Sequence, residues 1–199
     1  YEDLVNGDLI KEFLTISWYH NWGSPNTSYP SPPIFVQGTT ERLYALEAIC
    51  RINNYRDVFH IENDILVYSD LNELLPKCQK LYQQMTLTPM ADKDHTFAFV
   101  YIPNHSDLTS FCNFNTEKMK IGNSELLTQY NLDMVHEMSI AKIYKDALNK
   151  LDFFPILPYG SFSTNYLEFN SLFDPASWGQ YLCGTNNAIG PGYAGAHHI

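Results

Sequence analysis

Glu62 and Asp64 are the residues whose type and spacing best support chemistry. They lie in VFHIENDILVYSDL, Val58 to Leu71, where an apolar run is broken by Glu-Asn-Asp and then resumes. Side chains alternate along extended backbone, so residues 62 and 64 are expected on one face. Two carboxylates brought close repel, and burying them unpaired is costly. A hard divalent cation removes both penalties, and carboxylate oxygens suit Mg2+ or Mn2+. An isolated E-x-D triplet is also common in solvated turns. Here it directly follows a predicted buried strand, and open α/β sheets bind ligands at the C-terminal ends of their strands.

The elements that must position this pair read as follows. Leu4 to Trp18 is mixed helix and short strand, and Asn21 to Pro33 is a Pro-, Gly- and Ser-rich loop. Ile34 to Val36 reads as a short strand. TTERLYALEAICRINN is a helix capped by Thr39 or Thr40, with Leu43, Leu46, Ile49 and Cys50 at helical spacing and Asn53-Asn54 at its end. DVFHI is the strand before the acids, and ILVY continues extended after them. Asp70 to Glu73 resembles a capping box that opens a short helix closed near Pro76. Thr96 to Pro103 is a strong strand. Asp133 to Leu151 is an amphipathic helix with Asp133 as N-cap, and FFPILP is extended. Strands alternating with helices predict an α/β fold with a mostly parallel central sheet flanked by helices, in a single domain over residues 1–199.

Composition narrows the function classes. Hydrophobic residues make up 45%, enough to build a sizeable core. The net charge is 12 − 22 = −10, which argues against a nucleic-acid binder that tracks phosphates with basic surface. No apolar run reaches the roughly 18 residues that span a bilayer. Cys50, Cys78, Cys112 and Cys183 form no CxxC and read as free thiols in a reducing compartment, hence a cytoplasmic location. The chain starts at Tyr1 with no signal peptide, and reads as a domain cut from a longer polypeptide.

RLYALEAICRINNYRDVFHIENDILVYSDLNELL, Arg42 to Leu75, resembles the central segment of nucleotide-sugar-dependent glycosyltransferases of the GT-A fold, whose acidic D-x-D-type motif follows a buried strand. The likeness extends to the small glycosyltransferase domains of large chlorella viruses and to bacterial polysaccharide-synthesis enzymes. FDPASWGQYLCGTN, Phe173 to Asn186, is similar to a stretch of the latter. Glu62 stands where many of these enzymes have Asp.

The resemblance implies a GT-A-like domain that moves a hexose or 6-deoxyhexose from a UDP-sugar, such as UDP-glucose or UDP-rhamnose, to a glycan or glycoprotein acceptor. It would work in the cytoplasm, the host's if the protein is viral. It implies Mn2+ or Mg2+ held by Asp64, with Glu62 as ligand, through water, or on the donor. His197 or His198 either completes the shell or belongs to a frayed terminus. Thr40 and Arg42 fall on the nucleotide side, or else Thr40 only caps and Arg42 pairs with Glu41 or Glu47. Asn63 and Gln180 are polar candidates for nucleotide and sugar. Asp133, or its rival Asp174, is the acceptor-side acid. In an inverting reaction a carboxylate must act as general base on the acceptor hydroxyl; in a retaining one the leaving phosphate can do so. Two further classes stay open: a non-catalytic carbohydrate-binding module, and a metal-dependent nucleotidyltransferase or phosphohydrolase.

Overall fold

The strand expected ahead of the acids forms, at Arg56–Ile61, and the elements around it fall into two compact units. One unit comprises Tyr1–Arg56 and His105–Asn149, the other Asp57–Asn104 and Lys150–Ile199. The structure, a computed structural model, describes residues 8–16, 33–63, 65–91, 94–132, 134–160 and 162–173. In chain order the elements are α1 (Asp8–Leu14), α2 (Pro33–Ile52), β1 (Arg56–Ile61), α3 (Leu71–Leu81), β2 (Thr86–Ala91), β3 (Asp94–Asn104), α4 (His105–Ile121), α5 (Asn123–Tyr130), α6 (Glu137–Leu148), β4 (Asp152–Phe153) and α7 (Tyr166–Phe169). No described helix is long and apolar enough to cross a membrane.

The second unit is built on a four-stranded sheet of order β1-β3-β2-β4. It is mixed, not mostly parallel. Strands β2 and β3 pair antiparallel, ending at Ala91↔Asp94 with two residues between, while only Thr86–Leu87 pairs parallel to β4. A connection that short permits a hairpin, whereas a parallel crossover needs a dozen or more residues. β3 is buried continuously from His95 to Ile102. Helix α3 lays Leu74 and Cys78 on Phe99, Tyr101 and Phe154, and Phe169 joins them. Tyr82 meets Phe154 edge-on at 5.4 Å and stacks on Phe169 at 5.9 Å. Burying one such Phe side chain contributes about 1.5–3 kcal/mol.

Several local expectations are corrected. Ile34–Val36 is helical, because α2 begins at Pro33, whose fixed φ and missing N–H suit a first turn. Thr39 and Thr40 are therefore interior to α2 and do not cap it. Asn54, at φ 51°, ends this helix as expected, and the Tyr55 amide donates to the Cys50 carbonyl. Ile65–Tyr68 is not a strand, and Leu66 and Tyr68 are 76% and 92% exposed. Helix α3 runs through Pro76 to Leu81. The helix expected from Asp133 starts at Glu137, capped by His136, and ends at Leu148.

The first unit is helical. α2 and α6 both pack on α4, as does α1. Phe13 stacks on Tyr44 at 4.6 Å, and Tyr144 meets Phe111 and Phe114 edge-on. The buried Tyr44 hydroxyl lies 2.7 Å from Thr116 Oγ1, donates to the Cys112 carbonyl and accepts from Asn115 Nδ2. A polar group taken out of water in this way needs such partners.

Candidate functional site

Glu62 follows β1 directly. Its amide donates to the Ala98 carbonyl of β3 across 2.9 Å, so the sheet edge holds the backbone that carries its half-buried side chain. The chain then turns at Asn63, and the Ile65 amide donates back to the Glu62 carbonyl at 3.2 Å. β1 itself ends at Ile61, one residue before Glu62. Glu62 and the exposed Asn63 therefore lie just past the end of the strand. Carboxylate oxygens are donors of the kind that hard divalent cations take, so Glu62 fits the implied metal in chemistry. Among the described residues no three His, Cys, Asp or Glu side chains converge on one point. Asp64 and His198 lie outside the described residues, as do Asp133, Asp174 and Gln180.

Thr40 and Arg42 sit in the first unit, on α2, and both face Glu137. Thr39 Oγ1 donates to Glu137 Oε2 at 3.1 Å and Thr40 Oγ1 at 3.5 Å. The Arg42 guanidinium stands 3.7 Å from Glu137 Oε1, with side chains 30% and 4% exposed. Arg42 therefore pairs with Glu137, not with Glu41 or Glu47. Glu47 instead accepts from Arg51 at 3.0 Å and from Thr109 at 2.8 Å. Glu137 occupies the first turn of α6, where the helix dipole favours a carboxylate. Next to it, the buried His136 accepts from the Ser139 amide through Nδ1, and the Ser139 hydroxyl accepts from the His136 amide.

Glu137 was not singled out from the sequence, although a signal existed. Glu137, Ile140, Ala141 and Tyr144 recur at helical spacing and all are buried, so the carboxylate belongs to the apolar face. A charge on that face needs a partner, and Arg42 with the two threonines supplies it.

In the second unit a cavity of about 240 Å³ opens beside the start of α3. Asp70 caps that helix as predicted, accepting from the Asn72 amide at 2.8 Å. The chain matches no protein-family model, no curated protein and no solved structure.

Proposed function

We propose that the chain is a metal-dependent glycosyltransferase of GT-A type, acting in the cytoplasm on a UDP-sugar donor and a glycan or glycoprotein acceptor. The carrying observation is the end of β1: a strand anchored in the sheet stops at Ile61, and the sequence Glu-Asn-Asp comes next. The likeness of Arg42 to Leu75 and of Phe173 to Asn186 to these enzymes supports the same reading.

Transfer breaks the anomeric C–O bond, leaving negative charge on the departing diphosphate and oxocarbenium character on the sugar. A bound Mn2+ or Mg2+ supplies Lewis-acid stabilisation of that charge. On this reading Asp64 and Glu62 hold the cation, with His198 as a further ligand. Asn63 and Gln180 hydrogen-bond the nucleotide and the sugar hydroxyls. Asp133 or Asp174 orients the acceptor hydroxyl, and takes its proton if the reaction inverts.

The test is calorimetric titration of UDP with and without Mn2+. We expect binding that needs the cation and is lost in Asp64→Ala. UDP binding equally tight in EDTA removes the basis of this reading.

A further inference from the structure

We propose that the cavity at the start of α3 is a saccharide subsite, lined by Ser69, Asp70, Glu73, Lys77, Asn170 and Ser171. Its floor is apolar, made by the buried Leu74 and Phe169. Its volume, about 240 Å³, is below the span of about 300–1,000 Å³ usual for drug-sized ligands. A single sugar ring is a ligand of the right scale.

The lining chemistry decides the class. Asp70 and Glu73 offer two carboxylates against one ammonium, Lys77, so the rim disfavours a phosphate or another anion. Donors and acceptors are interleaved around it: serine hydroxyls, the Asn170 amide and Lys77 can donate, and the carboxylates accept. A sugar hydroxyl both donates and accepts, so a polyol satisfies this mixture. A bare cation would leave the donors facing like charge. Asp70 and Lys77 are partly committed, the former to the Asn72 amide and the latter to the Phe169 carbonyl at 3.4 Å. These bonds hold the rim in place. Ser69, Glu73, Asn170 and Ser171 make no side-chain hydrogen bond among the described residues, and all four remain available to a ligand.

Within the glycosyltransferase reading this is a place for one ring of the acceptor, and that assignment rests on that reading. Saccharide binding itself is tested apart from it. The probes are methyl glucosides and methyl rhamnosides of both anomeric forms, titrated into the intact isotopically labelled chain and followed by amide chemical shifts. We expect at least one probe to bind at millimolar concentration, moving Ser69–Glu73 and Asn170–Ser171 together. Asn170 has φ 51°, so its side chain is removed as Asn170→Gly, which that backbone accepts. Glu73→Ala with Asn170→Gly should weaken binding at least tenfold, and Ser171→Trp, which fills the cavity, should abolish it. Melting temperature and UDP binding should stay at wild-type values in both variants. No shift with any probe, or shifts unchanged in both variants, overturns the subsite. Saccharide shifts in a chain that fails to bind UDP keep the subsite and sink the glycosyltransferase reading.

Discussion

Tyr101 Oη donates to Asp57 Oδ1 across 2.5 Å, joining β3 to a β1 residue whose φ of 55° lies in the left-handed region. Such a φ inside a strand is strained for a residue with a Cβ, though Asp tolerates it better than most. Gln79 Nε2, on α3, donates to the second oxygen at 2.9 Å, so the carboxylate is held from two elements. Burial, then the hydrogen bond to Asp57, raises the Tyr101 phenol above its ordinary range, and it remains the donor at neutral pH. Tyr101→Phe should cost about 1.5–3 kcal/mol, the worth of a hydrogen bond to a charged group. Urea unfolding checks this, with an unchanged m-value. A loss under about 0.5 kcal/mol, as for a neutral surface change, would contradict the role assigned to the bond.

Helix α3 gives two opposite expectations. Asp70→Ala removes the side-chain acceptor of the Asn72 amide and should destabilise by about 0.5–2 kcal/mol. Pro76 lies inside the same helix and is exposed, so it removes one helical N–H and crowds the preceding turn without a packing return. Pro76→Ala should raise the melting temperature. A Pro76→Ala variant less stable than wild type would show that the ring has a contact of its own.

These residues also show what was legible in sequence. DVFHI reads as a strand because aromatic and β-branched residues dominate it, and Asp70 reads as a cap because Glu73 follows at capping-box spacing. TLTPMA did not read as a strand, because Pro89 interrupts it; the structure places that proline beside a register break in β2. Helix α4 was hidden by its serines, threonines and asparagines. Its buried Thr116 hydroxyl and Asn115 Nδ2 bond the Tyr44 hydroxyl of α2, a tertiary partner that local pattern does not reveal. At the site, the strand end at Ile61 was legible. The turn after it was not, since Glu-Asn-Asp between apolar runs fits strand and turn alike.

The described thiols make stability fall at high pH. Burial, reinforced by the Asp57 carboxylate, pushes Cys78 from its ordinary 9.0 up to about 12. Burial followed by Glu47 also raises Cys112 and Cys50. The folded state therefore keeps these thiols protonated where the unfolded state ionises them. Stability is unaffected below about pH 9 and declines between pH 9 and about 12. Urea midpoints at pH 8 and pH 10.5 should show this decline, and Cys78→Ala should flatten it. In a Cys183→Ser background, a thiol reagent at pH 8 should label the native chain only as fast as it unfolds. Rapid native labelling would refute the burial of Cys50, Cys78 and Cys112.

Glu137 fastens α6 to α2 through Thr39, Thr40 and Arg42. Removing its carboxylate takes one acceptor away from two hydroxyls and a partly buried guanidinium. Glu137→Ala should cost about 2–3 kcal/mol, below the usual 3–5 for a fully buried pair because Arg42 is 30% exposed. Glu137→Gln keeps an acceptor for Thr39 and should lose less. Equal losses in the two variants would mean that packing, not the acceptor, is what the site needs.

Metal removal addresses the acid turn most directly. Glu62 is half-buried at the end of β1, and the strand holds it through its backbone amide, which a side-chain change leaves intact. Glu62→Gln keeps that backbone bond and nearly the same side-chain shape, so the variant should still fold. Its amide is a poor ligand for a hard cation, so Mn2+-dependent UDP binding should weaken at least tenfold, which is about 1.4 kcal/mol. On the proposed reading EDTA should reduce wild type and variant to the same residual affinity, because neither would then have the cation. If Glu62→Gln binds Mn2+ and UDP as wild type does while Asp64→Ala does not, Glu62 is not a ligand and the cation rests on Asp64 alone. If EDTA leaves wild-type binding unchanged, the turn has some other use.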